Sequence, residues 1–284
     1  MYYPVLEISL KDGLWLTLTK IWGIRIIFAN SYSIGVFIFM TIREKICDYA
    51  IYYQGNWSKI AHAISTDEHV PHFKCDHFIT FYDAEYPEAF RNLRFPPWVI
   101  FYEGDISLLK KECISIVGSR NASEYGINCT KEIVRRLSDR YVIVSGLAKG
   151  IDAVAHKTAL ENSRSTIAVI GSGLKTHYPK CNEYLYQKIA ENGLIISEYP
   201  DLVGVKKEHF PWRNRLIAAL GERVFVTEAT CKSGTMLTVN EAITLGKDVY
   251  VVPYPLKTVN DSGCNLLLSQ GAFLLYDWRQ LNYL

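Results

Sequence analysis

From residue 113 onward the chain alternates short, almost wholly apolar runs with longer stretches of mixed polarity. The apolar runs fall at 114–117, 141–144, 166–170, 194–197, 223–227 and 248–252. Strands covered on both faces by helices read as continuous apolar runs of this kind, whereas half-exposed strands alternate. The intervening stretches, at 125–137, 152–161, 182–191, 211–220 and 236–245, are each long enough for about three turns of helix. Repeated strand–helix units predict an α/β fold, a doubly wound, mostly parallel sheet with right-handed crossovers.

The first quarter has a different texture. Residues up to about Phe73 are rich in aromatics and isoleucine without regular alternation, and two or three helices are expected there. The apolar stretch 14–40 is broken by Lys20, Arg25 and Asn30, short of a membrane-spanning helix. Met1-Tyr2-Tyr3-Pro4 lacks the basic and apolar regions of a signal peptide. Next come Phe78-Ile79-Thr80-Phe81-Tyr82-Asp83 and, after Pro96-Pro97, Trp98-Val99-Ile100-Phe101-Tyr102. These proline-bounded runs predict short strands and extended segments. The expected organisation is a small helical domain over 1–76 and an α/β domain over 77–284.

Ligands of an open parallel sheet bind beyond the carboxyl ends of its strands. Gly118-Ser119-Arg120 follow the first run, and Ser145-Gly146-Leu147-Ala148-Lys149-Gly150-Ile151-Asp152 the second. Gly171-Ser172-Gly173-Leu174-Lys175, leading to Tyr178-Pro179-Lys180, follow the third. After the fourth come Glu198-Tyr199-Pro200 and a loop reaching Phe210-Pro211-Trp212-Arg213-Asn214-Arg215; after the fifth, Glu228-Ala229 and Lys232-Ser233-Gly234-Thr235. Glycine lets a backbone approach a ligand closely, and a helix start offers unpaired N–H groups with a partial positive charge. Together they make anion sites, and a row of them with Arg120, Lys149, Lys175, Lys180, Arg213, Arg215 and Lys232 suits a polyanion. The net charge of only +2 requires a local cluster rather than a field over the whole surface.

Other chemistries fit less well. Gly171-Ser172-Gly173 opens like a dinucleotide fingerprint, but Thr176 stands where its third glycine belongs. The Gly-Lys-Ser/Thr ending of a phosphate loop that hydrolyses ATP is missing, as is a Gly-x-Ser-x-Gly nucleophile elbow. Asp152 either caps its helix or forms an acid–base pair with His156, one turn on. Glu228 is a candidate base or a buried partner of Arg213 or Arg215. His69, His72, Cys75 and His77 do not match paired zinc-ligand spacings, so no metal is expected. Seven dispersed cysteines without a CxxC pair fit a reducing cytoplasm rather than a disulfide framework.

In combination, Val117-Gly118-Ser119-Arg120, the run from Ser145 through Asp152 to His156, Thr166 to Leu174 with Tyr178-Pro179, Ser197-Glu198-Tyr199-Pro200, Phe210-Pro211-Trp212-Arg213-Asn214-Arg215 and Ser233-Gly234-Thr235 resemble the signature of the DprA/Smf family over roughly 78–275. The resemblance implies an extended Rossmann-like fold that holds single-stranded DNA at its strand ends without cofactor or catalysis, with Arg120 and Lys180 in contact with it. It further implies loading of the recombinase RecA on strands covered by single-strand-binding protein, natural transformation as the setting, and a homodimer formed through Leu266, Leu267 and Leu268. Tyr178 and Trp212 are the expected stacking platforms. Three departures accompany it. Pro253-Tyr254-Pro255 stands where the family has Pro-Gly, and Ile21-Trp22-Gly23-Ile24 is only a trace of a helix–hairpin–helix loop. The winged-helix domain of many relatives is expected to be absent. The competing reading is a nucleotide sensor or an enzyme cleaving nucleoside monophosphates, of whose glycine-rich loop and glutamate Ser233-Gly234-Thr235 and Glu241 are a partial echo.

Overall fold

The structure, a computed structural model, describes residues 6–9, 15–21, 24–29, 41–256 and 262–284. Near the amino terminus, β1 (Leu6–Ser9), β2 (Trp15–Ile21) and β3 (Ile24–Ala29) form an antiparallel sheet in that order. Strands thus stand where helices were expected at 15–21 and 24–29. The period-two Trp-Leu-Thr-Leu-Thr of β2 and the isoleucines of β3 favour a pleated chain over a helix. Helices begin afterwards with α1 (Ile42–Tyr52), started by a capping box between Thr41 and Glu44, and α2 (Trp57–Thr66), capped by Asn56. The segment of the helix–hairpin–helix trace, 21–24, lies partly outside the described residues.

The main sheet has nine strands. Seven are parallel: β6 (Cys113–Val117), β7 (Val142–Ser145), β8 (Thr166–Val169), β9 (Leu194–Ser197), β10 (Arg223–Val226), β11 (Asp248–Val251) and β12 (Phe273–Leu274). Two more, β4 (Phe78–Thr80) and β5 (Val99–Gly104), join antiparallel beyond β9. The order is β12-β11-β10-β6-β7-β8-β9-β5-β4, so the fold is the expected doubly wound Rossmann-like one. The prolines at 87, 96 and 97 fall between β4 and β5, and the three-residue β4 forms the edge of the sheet.

Alternate strand residues go to opposite faces, as the pleat demands. Cys113 and Val117 of β6, Val142 and Val144 of β7, Ile167 and Val169 of β8 and Val224 and Val226 of β10 pack with α3 (Glu88–Arg91), α7 (His209–Leu220), α8 (Gly234–Thr244) and α9 (Gly263–Ser269). On the other face, Ile114, Ile116, Ile143 and Phe225 meet α4 (Glu124–Leu137) and α5 (Ile151–Glu161), while Ala168, Ile170 and Ile195 meet α6 (Glu183–Asn192). Ile46, Tyr49 and Ala50 of α1 and Ile60 and Ala63 of α2 belong to that second layer, sharing one core with Phe78, Val99 and Phe101.

The direction of strand progression reverses between β6 and β10, the switch point where such sheets open a crevice. Here it is closed. The amide of Ser119 donates to the carbonyl of Glu228 at 2.8 Å, and a Cβ on Gly118 would stand 2.9 Å from that same oxygen. The free loops lie to one side, over β6 to β9.

Candidate nucleic-acid interface

A cleft of about 240 Å³ opens at the carboxyl ends of β6, β7 and β8. Its rim carries Arg120 and Lys149, its mouth Tyr178 and Val205, and its floor Gly146, Gly171, Phe210 and Arg213. The volume is below the roughly 300 Å³ at which small-molecule pockets usually begin, a size suited to one residue of a polymer. Among the described residues, neither Arg120, Lys149 nor Arg213 has a carboxylate within ion-pair distance.

Arg213 is the pivot. It is 4% exposed, its Nη1 donates to the carbonyl of Val169 at 3.2 Å, and its Nε has no partner. Burial holds its guanidinium below the usual arginine range, with nearby Asp152 acting in the opposite direction. Asp152, at the start of α5, accepts the Ala148 amide at 3.4 Å; burial pushes its carboxyl up while Arg213 draws it back. A buried cation without a close counter-ion is costly, and an anion entering the cleft offsets that cost. Gly146 exists for this arrangement: a Cβ there would lie 1.4 Å from Nη1 of Arg213.

The loops are set by their own hydrogen bonds. Gly150 adopts φ 72°, and a Cβ on it would meet the carbonyl of Ser119 at 2.2 Å, so the second loop packs directly on the Gly118-Ser119-Arg120 turn. The Ile151 amide donates to that carbonyl at 3.1 Å. Asn182 donates through Nδ2 to the carbonyls of Leu147 and Ala148, both at 3.0 Å. Ser145 donates to the carbonyl of Ile116. Gly173 donates to the carbonyl of Val203 at 2.8 Å and cannot take a Cβ, which would stand 2.0 Å from the carbonyl oxygen of Pro200. Arg120 lies over the ring of Phe210 at 5.2 Å, and Phe210 faces Tyr178 at 5.9 Å.

Of the residues singled out in sequence, Arg120, Gly146, Lys149, Gly171, Tyr178 and Arg213 meet in the cleft. Lys175 and Lys180 come together with His177 and Glu183 just beyond Pro179; Lys175 is held by Asp201 at 3.2 Å. Gly118, Ser233, Gly234 and Thr235 lie past the closed switch point, where Thr235 Oγ1 donates to the Gly118 carbonyl at 3.0 Å. Lys232 is exposed there and does not line the cleft.

Asn214 and Arg215 turn inward. Asn214 donates to the Gly234 carbonyl at 3.3 Å, and Arg215 donates to Glu198 at 2.6 Å with both side chains 6% exposed. Trp212 packs against Phe95 at 5.5 Å rather than in the cleft. Leu267 is core, Leu268 is partly buried and Leu266 is 37% exposed. The carboxylate of Glu228 accepts from the amide and hydroxyl of Ser123, anchoring α4 instead of pairing with an arginine. His156 does not pair with Asp152: its Nδ1 lies 2.8 Å from Thr166 Oγ1, and burial pulls it down to about 3, leaving it neutral. The Pro253-Tyr254-Pro255 turn folds back, Tyr254 exchanging bonds with the Asn265 side chain and donating to Ser123 Oγ at 3.1 Å. His72 pairs with Asp48. Glu241 lies in α8, away from the cleft lining. Phe210, Val205 and Asn121 are cleft residues that loop reading by composition passed over, though Phe210 opens the Phe-Pro-x-Arg-Asn-Arg run.

The profile of the DNA recombination-mediator protein A family matches residues 77–283. The chain belongs to this family. Its DprA and Smf members include the DNA processing protein DprA of Streptococcus pneumoniae, 41% identical over 193 residues, which make up 68% of each protein. The match spans 52% of the length of Smf from Synechocystis, at 39% identity. The crystal structure of the pneumococcal DprA superposes with a TM-score of 0.73 and 31% identity, covering 84% of this chain and 95% of that one. DprA of Helicobacter pylori, whose structure describes a single-stranded DNA binding mode, gives 0.67 and 34%, covering 72% and 94%. Among the described residues, this DprA-family chain has no helix long and apolar enough to cross a membrane.

Proposed function

We propose that the cleft binds single-stranded DNA and that the protein acts as a recombination mediator without catalysing a reaction on the strand. One observation carries this reading: Arg120, Lys149 and the buried, unpaired Arg213 converge with Tyr178 and Phe210 on a single cleft. Cations in such a groove track the phosphodiester backbone, and aromatic faces accept bases of any sequence. A flexible single strand threads a narrow cleft that a rigid duplex does not enter. The likeness to the Helicobacter pylori protein supports the same ligand. By extension from the family, the protein acts in the cytoplasm as a homodimer and loads RecA on strands covered by single-strand-binding protein during natural transformation.

The test is fluorescence anisotropy with single- and double-stranded oligonucleotides over a series of salt concentrations. Single strands are expected to bind more tightly, and affinity is expected to fall with salt at a log–log slope of about −2, from three phosphate contacts at roughly −0.7 each. Arg120→Ala should weaken all sequences alike and reduce the slope by about 0.7. Equal affinity for duplex, or indifference to Arg120→Ala, would refute the reading.

A further inference from the structure

A second cavity, of about 420 Å³, lies between α1, the segment leading into β4 and the loop 200–206. That loop is a party wall: Val205 lines the first cleft, while Leu202, Val203, Gly204 and Lys206 line the second. Both sides of the second cavity are fixed. Asp48 of α1 accepts the Phe73 amide at 2.8 Å, and the loop is bonded through Val203 to Pro200 and Gly173 and through Asp201 to Lys175.

The lining has the chemistry of a nucleotide-binding platform. Half-buried Phe73 and Leu202, the latter 85% exposed, present an apolar face backed by the core ring of Phe101. A lone exposed leucine is ordinary, but this one lines the same cavity as the Phe73 ring. Exposed Lys74 and Lys206 stand at its edges, and among the described residues neither meets a carboxylate. The cavity's carboxylate, Asp201, is already engaged by Lys175 at 3.2 Å. Apolar faces flanked by unpaired cations match bases flanked by phosphates, and the shared loop makes the two cavities neighbours along one path.

We propose that a single strand seated in the first cleft crosses the loop 200–206 and places further nucleotides in this second cavity, with bases on Phe73 and Leu202 and phosphates at Lys74 and Lys206. The proposal rests on the single-strand reading of the first cleft and adds the direction in which the strand leaves it.

Cys75 lines the second cavity and supplies a native reporter, since hydrogen bonding with the Cys47 thiol lowers its own thiol below the usual cysteine range and so favours the thiolate that maleimide attacks. The protein is labelled with maleimide alone, with an oligothymidine of about 4 nucleotides, and with one of about 16, the two ends of the range of single-strand site sizes. Modification is followed peptide by peptide. The longer strand is expected to slow labelling of Cys75 several-fold and the shorter one to leave it unchanged. A Lys74→Glu/Lys206→Glu double variant is expected to bind the longer strand about tenfold more weakly, two lost phosphate contacts, and the shorter one normally. If the longer strand binds in an Arg120-dependent way yet Cys75 labels at its free rate, or the double variant keeps full affinity, this path is overturned while the first cleft stands. If neither strand binds, the first cleft's assignment fails and the path fails with it.

Discussion

At Gly146 a hydrogen in place of a methyl group decides where a charge sits. The clash a Cβ would make is with the far end of a flexible side chain, Arg213 Nη1 at 1.4 Å. Gly146→Ala is therefore expected to leave the fold intact and drive the guanidinium out of its seat. A hydrogen bond to a charged partner contributes about 1.5–3 kcal/mol, so single-strand affinity should fall about tenfold or more at tenfold per 1.4 kcal/mol. Thermal unfolding and anisotropy, measured together, check both halves; unchanged affinity would show that the position of Arg213 is irrelevant to the ligand. Sequence reading identified Gly146 and Arg213 separately, from glycine after a strand and arginine in a loop. It had no means of pairing residues 67 positions apart along the chain. The partner came from tertiary packing of α7 over the ends of β7 and β8, which local pattern does not encode.

Helix α7 shows what one element does with two arginines. Positions two apart on an α-helix point about 200° apart around its axis, so Arg213 and Arg215 cannot serve the same surface. Arg213 reaches the cleft, while Arg215 joins Glu198 at the end of β9, its guanidinium 4.6 Å from the Trp212 ring. Grouping both arginines with the strand-end loops put both on the DNA although a helix was expected over 211–220; the helix, which begins at His209, separates them. Burial pushes the Glu198 carboxyl up and the Arg215 charge pulls it back down, the balance of a desolvated pair. Glu198 Oε2 and Arg215 Nε and Nη1 have no partners, so the pair is imperfectly satisfied. Removing one member of a buried pair costs roughly 3–5 kcal/mol, whereas replacing both with apolar residues of similar volume is often neutral. Glu198→Gln is expected to lose about that much in urea unfolding, and Glu198→Leu/Arg215→Met to recover most of it. Arg215→Met should hold DNA normally per folded molecule, unlike Arg213→Met. Additive losses in the double variant would show instead that the two side chains contribute independently rather than as a pair.

Across the whole molecule, the parallel core was legible because each strand buried on both faces leaves a continuous apolar run, and six such runs appear in order. The two-residue β12 left no such signature, and the antiparallel pair β4 and β5 was only outlined by its prolines. Yet β12 determines how the molecule ends. It is an outer strand of the nine, with Phe273 50%, Leu274 43% and Tyr276 74% exposed, and Leu266 of α9 nearby in sequence at 37%. Phe273 stacks on Tyr250 at 5.1 Å, and Tyr250 on Phe225 at 5.3 Å, so the edge is backed by a rigid aromatic row. An apolar open edge pairs readily with another chain, and a two-fold contact between identical patches closes on itself. The proposed homodimer is expected to form here, with Leu266 and the β12 edge, rather than core Leu267, meeting the partner copy. Leu266→Glu/Leu274→Glu should therefore sediment as a monomer. Three strand spacings, about 14 Å at 4.8 Å each, separate β12 from β6, so a short oligonucleotide should bind each protomer with unchanged affinity. A strand long enough to occupy the clefts of both protomers should bind the double variant more weakly, because the second contact is no longer intramolecular. A variant that remains dimeric would place the interface on another surface of the molecule.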